Sequence, residues 1–235
     1  MTGGVKRVGQ AIALALARRG VRVAVTYRTS ARAAQALVRR LTGCGVRALA
    51  VPVDQADVAQ IRAAVCTVER AFGRIDLLVN NASIFYPTPL ESVTEAQWDD
   101  LLAVNLRGPF FFAQAVAAGM RRRRRGTIIN LADVSAFRPW GTYLPYCIAK
   151  AGVVAMTFGL ARALAPDVRV NAIAPGPILP PPDLSYAERR RAAAATLLKR
   201  WGSPQDIVNT VLYLAEGTNF VTGQVIAVDG GRVLS

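Results

Sequence analysis

Thr2-Gly3-Gly4-Val5-Lys6-Arg7-Val8-Gly9 opens the chain and leads directly into a stretch with helical periodicity that begins near Gln10. Glycines in such a turn let the backbone approach a pyrophosphate closely, and the start of the following helix supplies N–H donors and a positive dipole. A turn of this kind follows a buried strand, whereas here only Met1 precedes it. The stretch therefore predicts a nucleotide-binding fold whose first strand is missing from this chain.

Apolar runs with the length of strands alternate with amphipathic stretches along the remaining sequence. The predicted strands cover 22–27, 48–53, 77–80, 127–130, 168–173 and 225–228, and the predicted helices cover 7–19, 31–42, 58–71, 95–120, 186–199 and 204–216. Such alternation is typical of a parallel sheet covered by helices on both faces. We expect an α/β fold with a single Rossmann-like doubly wound sheet over residues 1–235.

The composition excludes several classes of chemistry. Histidine is absent, so Ser-His-Asp and Cys-His schemes are excluded and Tyr, Lys, Asp and Glu remain for proton transfer. Cys44, Cys66 and Cys147 show no paired spacing, which argues against a zinc site, and we expect no metal. No uncharged apolar run reaches the roughly 18 residues of a membrane span, and no signal segment is evident. We therefore expect a cytoplasmic protein that has no membrane partner.

The net charge of +14 raises the possibility of nucleic-acid binding. The excess is mostly arginine scattered through helical stretches, and the one dense run, 121–125, has no interleaved aromatic residues. We expect that run to be a solvated loop and the protein not to bind nucleic acid. A basic surface would still attract an anionic cofactor.

The second predicted strand of the fold ends without an acidic residue. Tyr27 is followed by Arg28, Thr29 and Ser30, and this arrangement favours the 2′-phosphate of NADP(H) over the free ribose hydroxyl of NAD(H). The alternative is an exposed arginine at the start of a helix. Asp54, just after the next strand, is a candidate acceptor for the adenine amino group or a cap for the following helix.

Tyr146 and Lys150 lie four residues apart, behind Pro145, which suits the first turn of a helix. Positions four apart share a helix face, so the ammonium group can lie beside the phenol and lower its pKa. Asp133 lies thirteen residues before the tyrosine. Because an ionised carboxylate only accepts hydrogen bonds, Asp133 would repel a ketone oxygen and would match a substrate edge that carries amino and N–H groups. Were it protonated, it could instead donate a proton to a ring nitrogen.

Together these residues resemble the short-chain dehydrogenase/reductase superfamily, and the resemblance covers nearly the whole chain. The resemblance implies a seven-stranded sheet, a homotetramer, Tyr146 as proton donor, Lys150 as its partner and Asn105 as the holder of a water molecule. It places the nicotinamide carboxamide near residues 175–178. The matching positions are Thr2-Gly3 to Gly9, Asp54, Asn80-Asn81-Ala82, Asn105, Tyr146 with Lys150, Pro175-Gly176 and the ending Val221 to Gly231.

Within that superfamily the chain is most similar to the pteridine reductases. Arg7 replaces the usual middle glycine, residues 80–90 read Asn-Asn-Ala-Ser-Ile-Phe-Tyr-Pro-Thr-Pro-Leu, and Asp133 stands where most members have serine. The resemblance implies NADPH as cofactor, with these positions in contact with it: Gly3, Arg7, Val8, Gly9, Tyr27, Arg28, Thr29, Ser30, Asp54, Asn81, Ala82, Ser83, Lys150, Pro175, Gly176 and Ile178.

The predicted function is NADPH-dependent reduction of a dihydropteridine to a tetrahydropteridine. Phe85 would stack on the pterin, Arg7 and Ser83 would contact it or the cofactor phosphate, and a lid would cover it from about 177–200. One alternative is a carbonyl reductase of the 3-oxoacyl thioester or sugar type. Another is a non-catalytic protein that binds a dinucleotide or nucleic acid.

The absent first strand would lie in the centre of such a sheet. Without it the neighbouring strands keep unpaired N–H and C=O groups, each costing on the order of 1 to 3 kcal/mol when buried. We therefore expect the functional protein to carry several residues before Met1.

Overall fold

The chain folds as alternating strands and helices in a computed structural model that describes residues 1–180 and 184–235. The predicted lid at 177–200 therefore lies partly outside the described residues. The strands are β1 (Val23–Tyr27), β2 (Ala48–Pro52), β3 (Leu77–Asn80), β4 (Gly126–Leu131), β5 (Val168–Pro175) and β6 (Val225–Val228). The α-helices are α1 (Arg7–Arg18), α2 (Ala31–Thr42), α3 (Val58–Phe72), α4 (Glu95–Leu102), α5 (Gly108–Arg122), α6 (Leu144–Leu164), α7 (Tyr186–Ala194) and α8 (Pro204–Leu212).

Every strand pairing among the described residues is parallel, which confirms the predicted α/β Rossmann-like class. β1 pairs with β2 in the register Val23↔Ala48 to Tyr27↔Pro52. A second group of four strands runs in the order β3-β4-β5-β6. Long hydrophobic strands such as β4, buried at every position, are typical of a parallel sheet covered on both faces.

The single continuous sheet that we expected is divided into these two groups. The resemblance implies seven strands, whereas the described residues form six. A gap separates β1 from β3. Met1, Thr2 and Gly3 bridge the gap in the described part of the chain. The Met1 ammonium donates to the Ala24 carbonyl at 2.6 Å, and the Thr2 N–H donates to the Val79 carbonyl at 2.9 Å. The two groups stay separate because no further strand among the described residues pairs with β1 and β3.

Helices pack on both faces of the strands. One core cluster joins α1, α2 and α8 through Ile12, Leu37 and Ile207, each at most 1% exposed. The other joins α3 and α5 on the opposite face through Ile61 and Met120. Residues 95–122 and 141–164 are long and apolar enough to span a membrane, but 56% and 44% of the most apolar window in each is buried inside the fold.

The predicted helix 95–120 is interrupted. A π-helical turn, Ala103–Arg107, separates α4 from α5, and such turns are common at functional sites. Hydrophobic periodicity cannot show this turn, because a period is detected only over a window of about 11 residues or more, much longer than one turn. The predicted helix 186–199 ends at Ala194, and β5 runs two residues beyond its predicted end, to Pro175.

Candidate active site

The carboxyl ends of β3, β4 and β5 meet at one edge of the fold, where ligands bind in open parallel sheets. Asn81 and Ser83 follow β3, Asp133 follows β4, and β5 ends at Pro175. The first turns of α6 carry Tyr146 to the same edge. Residues distant in sequence therefore converge on one site.

Tyr146 and Asp133 form the centre of this site. The tyrosine hydroxyl donates to Asp133 Oδ2 at 3.0 Å, and the tyrosine is only 6% exposed. Asp133 Oδ1 accepts from the backbone N–H of Ser135 at 2.8 Å and so caps a short 3-10 turn, Val134–Ala136. Each carboxylate oxygen of Asp133 therefore accepts one hydrogen bond, from Tyr146 or from Ser135. The spacing of thirteen residues brings these two groups together as predicted.

Lys150 lies beneath the tyrosine on the same helix face. Its ammonium donates to the Leu131 carbonyl at 2.9 Å and lies 5.6 Å from the centre of the Tyr146 ring. The side chain is 3% exposed, and burial lowers its pKa from 10.5 to about 8, a shift that the charge of Asp133 opposes. Lys150 is therefore a buried side chain whose ammonium group loses its proton more readily than that of an exposed lysine.

The expected effect of Lys150 on the tyrosine is wrong for this structure. Burial first, and then the negative charge of Asp133 together with its hydrogen bond, raise the pKa of Tyr146 well above 10, while a hydrogen bond with Ser83 opposes the rise. Sequence spacing identified the cation but could not show how deeply the phenol is buried. The tyrosine is a protonated donor here, and its proton points at Asp133.

Asn105 shapes the loop after β3. Its side-chain oxygen accepts from the Ser83 hydroxyl at 2.7 Å and from the Ile84 N–H at 3.0 Å, and its amide donates to the Ile84 carbonyl at 3.0 Å. It is 1% exposed and lies in the π-helical turn between α4 and α5. Its direct partners are thus loop atoms, which fix Ser83 near the tyrosine.

An aromatic group borders the site, and most of it was not predicted from the sequence. Phe85, 48% exposed, stacks on Tyr143 with ring centres 4.4 Å apart and meets Tyr146 edge-on at 4.8 Å. Trp140 meets Tyr143 edge-on at 6.1 Å. Tyr143 precedes Tyr146 by three residues, a helical spacing that could have identified it. One face of Phe85 is therefore covered by Tyr143, and its remaining exposed surface is available to a flat substrate.

The glycine turn has the close contacts that a nucleotide-binding loop needs. A Cβ at Gly9 would lie 2.7 Å from both the Asn81 side chain and the Gly3 carbonyl, so only glycine fits there. The Asn81 amide donates to the carbonyls of Thr2 and Gly3 at 3.0 Å, and the Ala82 N–H donates to the Thr2 hydroxyl at 3.0 Å. These bonds tie the turn to the end of β3 and leave the start of α1, with Val8 in its first turn, facing the site edge.

Arg7 connects the glycine turn to the segment after β5. It has a left-handed backbone with φ of 50°, and its guanidinium donates to the Leu179 carbonyl at 2.9 Å. A non-glycine residue in this conformation is strained and is commonly retained for a functional reason. The contact of Arg7 with the cofactor or the substrate stays a prediction.

The residues predicted to bind the adenosine half of the cofactor lie at the ends of β1 and β2. Arg28 and Thr29 are exposed beside Tyr27, and Ser30 precedes α2 without a side-chain capping bond. Asp54 accepts from the Ala56 N–H at 2.9 Å, whereas the cap of α3 is Asp57. The alternative that Asp54 caps this helix is therefore wrong.

The segment predicted for the nicotinamide follows β5 directly. A Cβ at Gly176 would lie 2.7 Å from the Asp229 backbone, and the Gly176 N–H donates to Val228 at 3.0 Å. Ile178 is 7% exposed. This part of the chain, together with the glycine turn, has the chemistry to hold a nicotinamide dinucleotide.

Comparisons with known proteins agree on the family of this chain. A family model described as enoyl-(acyl carrier protein) reductase matches residues 4–232. A 3-oxoacyl-[acyl-carrier-protein] reductase FabG of Staphylococcus aureus is 37% identical over 238 residues, covering 100% of this chain and 97% of that protein. The FabG of Thermotoga maritima is 35% identical, with 100% and 96% covered.

Solved structures agree closely in fold. A blue fluorescent protein from a metagenomic library, in complex with NADPH, is 34% identical with a TM-score of 0.90, over 98% of this chain and 95% of that one. A mutant of a Serratia marcescens short-chain dehydrogenase/reductase is 33% identical with a TM-score of 0.92, over 99% and 96%. The predicted superfamily is confirmed. The curated relatives' names agree with the carbonyl-reductase alternative better than with pteridine reduction.

Proposed function

Because the chain belongs to the short-chain dehydrogenase/reductase superfamily and is an oxidoreductase that uses a nicotinamide cofactor, we propose that it reduces a dihydropteridine with NADPH. When bound, the cofactor supplies a hydride. The observation that carries the proposal is Asp133, whose carboxylate occupies the place beside Tyr146 where a carbonyl reductase needs a hydroxyl donor.

Asp133 favours a substrate that donates hydrogen bonds. A carboxylate beside a ketone oxygen would oppose the negative charge that develops on this oxygen as hydride arrives, and in a dry site this repulsion is strong. A pterin edge offers amino and ring N–H groups, and the Asp133 oxygens accept from such donors. The exposed side of Phe85 gives the flat ring a surface on which to stack.

Tyr146 and Lys150 are the proton-handling pair in this proposal. The raised pKa keeps Tyr146 protonated, so that it enters the reaction as a proton donor. Lys150, with a pKa of about 8, can exchange protons near neutral pH. Ser83, fixed by Asn105, adds a hydroxyl beside the tyrosine. Arg28, Thr29 and Ser30 are the groups that would hold the 2′-phosphate and select NADPH over NADH.

A second function is favoured by the curated relatives, which are named 3-oxoacyl-[acyl-carrier-protein] reductases. In that case the substrate would be a 3-oxoacyl thioester, and Tyr146 would give its proton to the ketone oxygen. The negative charge of Asp133 beside that ketone oxygen is the physical objection to this candidate.

The two candidates are distinguished by NADPH oxidation with dihydrobiopterin and with an acetoacetyl thioester. We expect Asp133→Ser to lower kcat/KM for the pterin by at least about tenfold and to raise it for the thioester, because one charge-assisted contact is worth on the order of 1.5 to 3 kcal/mol. Asp100→Ser is the matched control, since it removes another tyrosine–aspartate bond of 3.0 Å, from Tyr86, at an exposed place. Wild-type turnover of the thioester alone, unchanged by Asp133→Ser, would contradict the pterin proposal.

We also propose that the protein works as a cytoplasmic homotetramer without nucleic-acid or membrane partners. The support is apolar surface on α5 and α6, where Phe110 and Phe158 are 40% and 48% exposed. Neither residue serves the reaction, and large exposed apolar side chains on neighbouring helices are typical of subunit interfaces.

A further inference from the structure

A small cavity of about 130 Å³ adjoins the site, and its lining consists of Val134, Arg138, Pro139, Trp140 and Arg232. Val134 directly follows Asp133 in the chain. Trp140 also belongs to the aromatic group of the site, since its ring meets those of Phe85 and Tyr143 edge-on at 6.2 and 6.1 Å. The cavity is therefore next to the place proposed for the flat ring of the substrate.

The two arginines of the cavity lie on short turns that come from distant parts of the chain. The backbone N–H of Arg138 donates to the Val134 carbonyl at 3.0 Å, in the turn that follows β4. Arg232 begins a 3-10 turn, Arg232–Leu234, that follows β6. The Arg138 guanidinium donates to the Arg232 carbonyl at 3.3 Å and so joins the two turns. Both arginines are thus held at the same cavity by backbone contacts.

Neither arginine forms an ion pair with a carboxylate within residues 1–180 and 184–235. The Arg232 guanidinium donates to the Ala195 carbonyl at 3.3 Å and to the Ser235 hydroxyl at 3.4 Å, which are long bonds to neutral acceptors. Asp229, three residues before Arg232, accepts instead from two backbone N–H groups of the turn, each at 2.8 Å. A guanidinium has several N–H donors, so both side chains keep donors for a further partner.

Two guanidinium groups beside one small cavity suit an oxyanion, because their paired N–H groups match the geometry of carboxylate and phosphate. The 2′-phosphate of the cofactor is expected elsewhere, beside Arg28, which follows β1 in the other group of strands. We infer that the cavity binds an oxyanion, a phosphate or a carboxylate, at the end of the substrate's side chain. The inference rests on the proposed function for the position of the substrate ring, but not for the binding of the anion.

The first experiment measures binding of the anion alone. Inorganic phosphate is titrated into the NADP⁺-saturated protein at constant ionic strength, and the indole N–H resonance of Trp140, assigned with Trp140→Phe, is followed by NMR. We expect a saturable shift whose affinity falls by at least about tenfold in Arg138→Gln and in Arg232→Gln, because each variant loses a charge-assisted contact.

Arg107→Gln is the matched control for this titration. Arg107 also donates to a backbone carbonyl, that of Ala56 at 3.0 Å, but it does not line the cavity. This variant should bind phosphate as the natural protein does. A Trp140 resonance that does not respond to phosphate, or that responds equally in the natural protein and in both cavity variants, would overturn the inference.

The second experiment identifies the source of the anion. NADPH oxidation is measured with dihydropterins whose side chains are equal in length and end in a hydroxyl, a phosphate or a carboxylate. We expect Arg138→Gln and Arg232→Gln to raise KM for one or both charged substrates by at least about tenfold and to leave KM for the hydroxyl form unchanged. Equal losses with all three substrates would mean that the arginines only support the local fold, and would overturn the inference.

The two experiments separate this inference from the proposed function. If no dihydropterin is oxidised while Trp140 still responds to phosphate through both arginines, the proposed function fails and the anion site stands.

Discussion

At the scale of single residues, Asp133 connects three parts of the site. One oxygen caps the turn after β4 and the other holds the Tyr146 hydroxyl, while its charge acts on Lys150 through space. Replacing it would therefore change the proton donor, the local backbone and the buried lysine together. This is why serine, which can still cap the turn, is a better probe than alanine.

The buried Lys150 predicts a specific pH dependence of stability. Its pKa is about 8 in the folded protein and 10.5 in the unfolded chain, so between these values the unfolded state binds more protons and stability rises with pH. The full shift corresponds to roughly 3 kcal/mol. We expect urea unfolding between pH 7 and 9.5 to show that the free energy of unfolding of the natural protein rises by roughly 2 kcal/mol relative to that of Lys150→Met.

Lys6→Met is the control for this measurement, because Lys6 is an exposed lysine. Its curve should run parallel to that of the natural protein over the same range. If the curve for Lys150→Met also ran parallel to that of the natural protein, this would show that burial does not lower the pKa of Lys150.

At the scale of elements, Arg7 joins the glycine turn before α1 to the segment after β5. Arg7→Gly relieves a left-handed φ of 50° and removes the bond to Leu179. We expect stability to stay within about 1 kcal/mol, since the relief of strain offsets the lost bond, while limited proteolysis between 184 and 200 becomes faster.

Arg124→Gly is the matched change for that experiment. Arg124 also has a left-handed backbone, with φ of 53°, but it lies in the loop before β4, far along the chain from residues 184–200. It should leave cleavage at 184–200 unchanged. Equal acceleration in both variants would mean that Arg7 does not restrain this segment.

The sequence predicts those parts of the site that depend on local spacing. Tyr146 and Lys150 share a helix face and Asp133 follows a strand, so periodicity and strand ends were sufficient to place them. The stacking of Tyr143 on Phe85 joins residues 58 positions apart in the chain, and no local pattern encodes it. The high pKa of Tyr146 and the π-helical turn around Asn105 depend on burial and backbone detail, which single-sequence patterns do not contain.

At the scale of the whole molecule, the apolar surfaces of α5 and α6 predict assembly. We expect Phe110→Glu and Phe158→Glu each to lower the mass measured by light scattering, because a buried charge at an interface is costly. Phe220→Glu is the control, since Phe220 is fully exposed and lies on neither helix. A natural protein that is monomeric at micromolar concentration would contradict the proposed tetramer.

The divided sheet has a consequence for cooperativity. Arg28 follows β1, in the group that contains β1 and β2, whereas Tyr146, Lys150 and the segment after β5 lie with the other group. A dinucleotide that reaches from Arg28 to Pro175 must therefore contact both groups, and its binding free energy resists their separation. The bound cofactor therefore bridges the two groups of strands, so adding NADPH should raise the thermal midpoint and sharpen the unfolding transition.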